Sequence, residues 1–223
     1  SLTGAIPKEL FRLSNIQSIS LSMNKLEGIV PSQIGTADSL KVLSLSHNHL
    51  GGVIPTEIGL LSNLKLLYLS NNIFEFSLPS ELGNLHILQG LGLAGIPDLT
   101  GVLPEELGQL SNLRGVFRVN AKLNGTIPHL FFTNLKKLNT MDLSGNNLVG
   151  SMPTAHHFEN LNMSNNQLTG VPSEIGMMSL LKTLDLAHNQ LTYVPSGIGM
   201  LSVLETLDLS NNNLTGVPSE IGM

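Results

Sequence analysis

Prolines recur along this chain at Pro7, Pro31, Pro55, Pro79, Pro104, Pro128, Pro153, Pro172, Pro195 and Pro218, at intervals of 24, 24, 24, 25, 24, 25, 19, 23 and 23 residues. Repetition at that period excludes most globular architectures, because each unit is too short to enclose a core and must bury its apolar face against the next unit. Between the prolines runs the string LxxLxLxxNxL, as in Leu40, Leu43, Leu45, Asn48 and Leu50, or Leu204, Leu207, Leu209, Asn212 and Leu214. Nine copies can be traced.

The alternation at Leu43 and Leu45 predicts a short strand that turns both leucines inward and leaves Val42, Ser44 and Ser46 outward. One such strand per copy gives a parallel sheet. The asparagines at Asn24, Asn48, Asn72, Asn146, Asn166, Asn189 and Asn212 stand where a core residue is otherwise expected. A buried amide is tolerated only when its donors and acceptor are used, so these asparagines are expected to bond backbone groups of their own turn and the neighbouring turn. The result is a ladder that staples one copy to the next.

Gly4, Gly28, Gly52, Gly101, Gly125 and Gly150 stand three or so residues before a repeat proline. The complete strings, such as LTGAIPKELFRLSNIQSISLSMNKL, resemble the plant-type leucine-rich repeat, LxGxIPxxLGxLxxLxxLxLxxNxL. The resemblance implies an α/β solenoid: a right-handed superhelix with a concave parallel β-sheet, an extra short strand before each IP, and a convex side of 3₁₀ turns or short helices. That family includes receptor-kinase ectodomains and secreted inhibitors of cell-wall polygalacturonases. Residues 1–223 are read as a single solenoid segment. The last repeats read LTYVP and LTGVP, one residue short, so the extra strand is not expected beyond Pro172. The chain has no Cys, and hence none of the cysteine-paired caps of extracellular members; it starts and stops inside a repeat, so an internal piece of a longer protein is expected.

Deviations from the pattern are the places to look for function. Residues 88–128 form two irregular repeats, with Ile96-Pro97 and Ala121 at the ladder positions. Strict counting puts Arg118 in a core slot, where an unpaired charge costs several kcal/mol. A one-residue slip, with Gly115 supplying the bulge, instead turns Phe117 and Val119 inward and Arg118 outward, and is the favoured reading. In the short repeat 153–172, PTAHHFENLNM keeps the strand slots Phe158, Leu161 and Met163 but drops four residues of the convex turn.

The concave face is asymmetric, with Lys41, Lys65 and Arg114 early and Asp142, Glu159, Asp185, Glu205 and Asp208 late. Tyr68 faces a floor of small residues at Gly90 and Gly92, the kind of pocket that receives a partner's anchor side chain. The expected ligand-facing set is Tyr68, Gly90, Gly92, Arg114, Phe117, Arg118 and Lys122. Neither the His47/His49 pair nor His156-His157 has a third ligand at fixed spacing, so no metal is expected, and the Asp column is read as scaffold. No nucleophile, base and orienting group can be assembled, so the chain is read as non-enzymatic and without cofactors.

The net charge of -5 argues against nucleic acid, and no apolar run is long enough to enter a membrane as a span. Sequons at Asn124, Asn162 and Asn213 give weak support for secretion. The reading is a recognition module that binds a protein, peptide or glycan on its concave face, extracellular or at the cell surface. The alternative is an intracellular scaffold subunit of a larger complex.

Overall fold

The structure is a computed structural model that describes residues 1–216, 218 and 219. The side chains of Val116 and Arg118 lie outside the described residues.

Each repeat contributes one short inner strand. Ser18–Ser20, Val42–Ser44, Leu66–Tyr68 and Gly90–Gly92 pair in sequence order as a parallel sheet, and Gly115–Arg118, Leu138–Asp142, Asn160–Asn162, Thr183–Asp185 and Thr206–Asp208 form a second one. The break between the two sheets falls in the irregular repeats. Alternation sets the faces: Leu43, Leu67 and Leu91 point into the core, while Ser44, Tyr68 and Gly92 share one outward row in register.

A lateral row of strands follows the ladder positions. Thr3–Gly4, Lys25–Gly28, His49–Gly52 and Ile73–Phe74 pair in order, as do Asn124–Thr126, Asn147–Ser151 and Gln167–Gly170. Among the described residues this row has no strand after Gly170; the repeat of Gln167–Gly170 keeps its strand although it is already one residue short before Pro172.

The convex side is built from 3₁₀ turns: Lys8–Arg12, Ser32–Thr36, Thr56–Leu60, Ser80–Asn84, Glu105–Gln109, Ser173–Met177 and Ser196–Met200, plus the short helix His129–Asn134. Proline stands just before each one in extended conformation, as at Pro55 with φ -67, and its carbonyl accepts the first bond of the turn, from Ile58 N–H at 3.1 Å. Ile34, Ile58, Leu82 and Leu107 drop from these turns into the core. Buried Leu, Ile, Val, Phe and Met side chains run continuously from Ile6 to Leu201.

The ladder asparagines connect successive layers. Asn48 Nδ2 donates to Leu45 O in its own turn at 2.9 Å and to Leu21 O one repeat back at 3.0 Å, while its Oδ1 accepts from Leu26 N–H at 3.0 Å. Asn72, Asn166, Asn189 and Asn212 repeat this arrangement, and Asn24 bonds Leu21 O and Leu2 N–H. The backbone just before the asparagine takes a left-handed turn at Met23, His47, Asn71, Asn165, His188 and Asn211, with φ between 52 and 58. Ile96 and Ala121 interrupt the series, and Asn146 spans the second gap, its Oδ1 accepting from both Ala121 N–H and Leu123 N–H.

Candidate concave recognition face

The Tyr68 ring lies down on the neighbouring strand rather than standing over an open pocket. A Cβ placed on Gly90 would sit 3.1 Å from Tyr68 Oη, and one on Gly92 would sit 3.0 Å from the ring's Cδ1. The floor of glycines is therefore already filled by the ring, which remains 36% exposed. What faces solvent is an aromatic platform across two repeats, not a hole for an incoming side chain. Larger residues at positions 90 and 92 would lift the ring.

Beside this platform runs the row that opens the inner strands. Lys41 N–H bonds Gln17 O, Lys65 N–H bonds Lys41 O, Gln89 N–H bonds Lys65 O, and Arg114 N–H bonds Gln89 O at 3.0 Å. Lys41, Lys65 and Arg114 are exposed, so the strand ends beside Tyr68 carry a basic edge. Further along the same row Glu159 and Lys182 pair at 2.7 Å, which holds the Glu159 carboxyl below the ordinary carboxylate range and the Lys182 ammonium above its own.

The acidic column has a local purpose. Asp142, Asp185 and Asp208 accept from the backbone N–H two residues on, at Ser144, Ala187 and Ser210, and Asn162 does the same for Ser164. The hydroxyl and N–H of Ser210 lower the pKa of Asp208. These side chains close the turn that leads into the ladder asparagine, in the manner of Asx turns.

Phe117 does not belong to the binding face. It is 1% exposed and meets Phe131 edge-on at 5.9 Å, while Val119 is fully buried beside it. Gly115, at φ 77, stands opposite a register shift between Leu138 and Thr140, and this displacement turns Phe117 and Val119 into the core. Phe117 is therefore a core residue and not part of the expected ligand-facing set, because the slip that turns it inward removes it from the surface. The side chain of Arg118, also expected to face ligand, lies outside the described residues.

Lys122 falls away from Tyr68. It occupies the position of Lys25 and His49, which open lateral strands, and it pairs with Asp98 at 2.9 Å. The structure thus brings together Tyr68, Gly90 and Gly92 and sets Arg114 on the adjoining edge. His47 bonds Asn71 from its left-handed turn while His49 opens a lateral strand, so the two rings serve different elements.

Two features escaped the sequence reading. Phe76 takes the position that Gly4, Gly28, Gly52, Gly101, Gly125 and Gly150 fill elsewhere, and it adopts the same left-handed backbone, φ 65, while 59% exposed. The signal was the one missing glycine in that column. The second is a cleft on the convex side at the short repeat, lined by Phe132, Lys136, Ala155, His156, His157 and Leu180.

Comparison with known proteins agrees with this architecture. Models of the leucine-rich repeat match residues 15–37, 39–61, 63–85 and 156–214. No curated protein matches the chain. Among solved structures, the ectodomain of the Arabidopsis thaliana membrane receptor kinase GASSHO1/SCHENGEN3, in complex with CASPARIAN STRIP INTEGRITY FACTOR 2, is 35% identical with a TM-score of 0.80; the match covers 98% of this chain and 30% of that one. The Arabidopsis receptor kinase HAESA, solved with a peptide hormone and a co-receptor, is 34% identical over 95% of this chain and 36% of its own, with a TM-score of 0.83. A plant ice-binding protein is 31% identical over 97% of this chain and 71% of its own, with a TM-score of 0.82. The chain therefore spans about a third of the length of these two receptor structures.

Proposed function

The chain belongs to the leucine-rich-repeat family in its plant-type form, and from that premise we propose that it recognises an extended peptide along its concave face, outside the cell or at its surface. The observation that carries this reading is the Tyr68 ring laid flat over Gly90 and Gly92 beside the exposed Lys41, Lys65 and Arg114. An exposed aromatic with few internal rotations gives contact area at low entropic cost, and the adjoining cations fix orientation. The ligand matching that surface carries an apolar or planar group for the ring and acidic or hydroxylated groups for the basic edge.

The likeness to HAESA, solved with a peptide hormone, supports the ligand class. Selection from a displayed library of random peptides tests it. Tyr68→Ala or Arg114→Ala should weaken the selected peptides by about 2 kcal/mol or more, against less than about 1 kcal/mol for Asp185→Asn. Silence at Tyr68 and Arg114 with a large effect at Asp185 would move the site to the late half of the sheet. Secretion is tested by expression through a eukaryotic secretory route. Asn124 and Asn213 are exposed and should carry glycans, whereas Asn162 is partly buried in the middle of the concave sheet, where a glycan would obstruct the face.

One further observation favours a second reading, ice binding. Asn147, Gln167, Gln190 and Asn213, with Thr169, Thr192 and Thr215, expose uncharged amides and hydroxyls along the late lateral side, and a plant ice-binding protein is among the similar structures. Inhibition of ice recrystallisation by the chain, lost when Thr169 and Thr192 are replaced by Lys, would favour it over peptide recognition.

A further inference from the structure

The convex turns from Lys8–Arg12 to His129–Asn134 each pack on the one before, and Ser173–Met177 packs on Ser196–Met200. Among the described residues that stack is interrupted between His129–Asn134 and Ser173–Met177. The cause is the 19-residue interval from Pro153 to Pro172, which leaves His156 and His157 in a plain turn where other repeats place a 3₁₀ turn. The missing turn leaves a cleft of about 470 Å³, with Phe132, Ala155 and Leu180 as its apolar walls and Lys136, His156 and His157 as its polar ones.

The polar side of the cleft is one-signed. Lys136 is the charged residue among the described residues that line it, and none of those is a carboxylate. His156 is fixed by a bond between its Nδ1 and Met177 O at 2.5 Å. The His157 ring leans on Phe158, centroids 4.3 Å apart and planes tilted by 36°, and its Nε2 is, among the described residues, the buried side-chain atom left without a hydrogen-bond partner. Leu180, 52% exposed, puts an apolar side chain at the rim.

We propose that this notch is a second docking site, on the convex side, for an acidic segment of another protein that inserts one aliphatic side chain against Phe132, Ala155 and Leu180 and sets a carboxylate on Lys136. The cleft lies where the stack of turns is interrupted, so a short turn of peptide bound there would bridge the two halves of that stack. Its basic wall selects an acidic segment over a basic one. This site is independent of the concave face.

The probes are two end-blocked tetrapeptides, Glu-Leu-Leu-Glu and Lys-Leu-Leu-Lys, each titrated onto the chain with a fluorescent label. The acidic peptide should bind, the basic one should bind at least about tenfold more weakly, and Lys136→Glu and Leu180→Glu should each weaken the acidic peptide by about tenfold or more. Both substituted residues are exposed, so an unchanged Tm verifies the fold of each variant. Tyr68→Ala should leave this binding as it was. Failure of the unaltered chain to bind the acidic peptide, equal binding of the two peptides, or loss of binding in Tyr68→Ala but not in Lys136→Glu overturns the proposal.

Discussion

At the scale of single residues, a ladder asparagine does more than any neighbouring polar group. Asn48→Ala strips Leu26 N–H of its acceptor and removes two donors, and should destabilise the chain by about 1 to 3 kcal/mol. Ser44→Ala loses one hydroxyl contact with Ser22 on a partly exposed face and should cost less than about 1 kcal/mol. Denaturant unfolding of the two variants measures the difference, and equal losses would contradict the assigned faces. Phe76 gives the opposite sign: an exposed side chain on left-handed backbone stores strain that glycine lacks, so Phe76→Gly should raise stability by up to about 1 kcal/mol. His157 gives a pH dependence. Burial, with Lys136 and His156 nearby, outweighs its bond to the Leu135 backbone and lowers its pKa from 6.5. The unfolded chain then takes up the proton first, and the contribution of neutral His157, complete above about pH 6.5, is lost as pH falls toward the folded value. The stability difference between the unaltered chain and His157→Gln should therefore shrink between about pH 7 and 5, as followed by Tm.

At the scale of elements, the period-2 leucines state the inner strands outright, and the proline states where each convex turn starts. The irregular repeats were legible only in part. Cost alone argued that Arg118 would not enter the core, but the burial of Phe117 against Phe131, in the helix His129–Asn134 of the next repeat, is a packing fact between elements. The Tyr68 platform is similar. Spacing set Tyr68 beside Gly90 and Gly92, whereas only the rotamer decided that the ring covers the glycines instead of leaving them open. Phe76 was a gap in a column whose meaning is a backbone angle, and φ is not written in residue type.

For the whole molecule, the core runs through every layer from Ile6 to Leu201, so equivalent leucines should behave alike. Leu43→Ala, Leu67→Ala and Leu184→Ala are each expected to cost about 2 to 5 kcal/mol, and each variant should unfold in a single transition by calorimetry. Two separated transitions, divided near Pro153 to Pro172, would show that the shortened repeat uncouples the halves. The sequence by itself determined the solenoid, its repeat length, the inward leucines and the asparagines that join the layers. Each of those rests on a local pattern that every copy restates, and nine restatements leave little to tertiary context. Only the tertiary structure decided which outward side chains meet. The Tyr68 ring over the next strand, the Lys122 pair with Asp98 and the cleft between Phe132 and Leu180 join residues about one repeat or more apart, whose contact depends on how one layer is set against another.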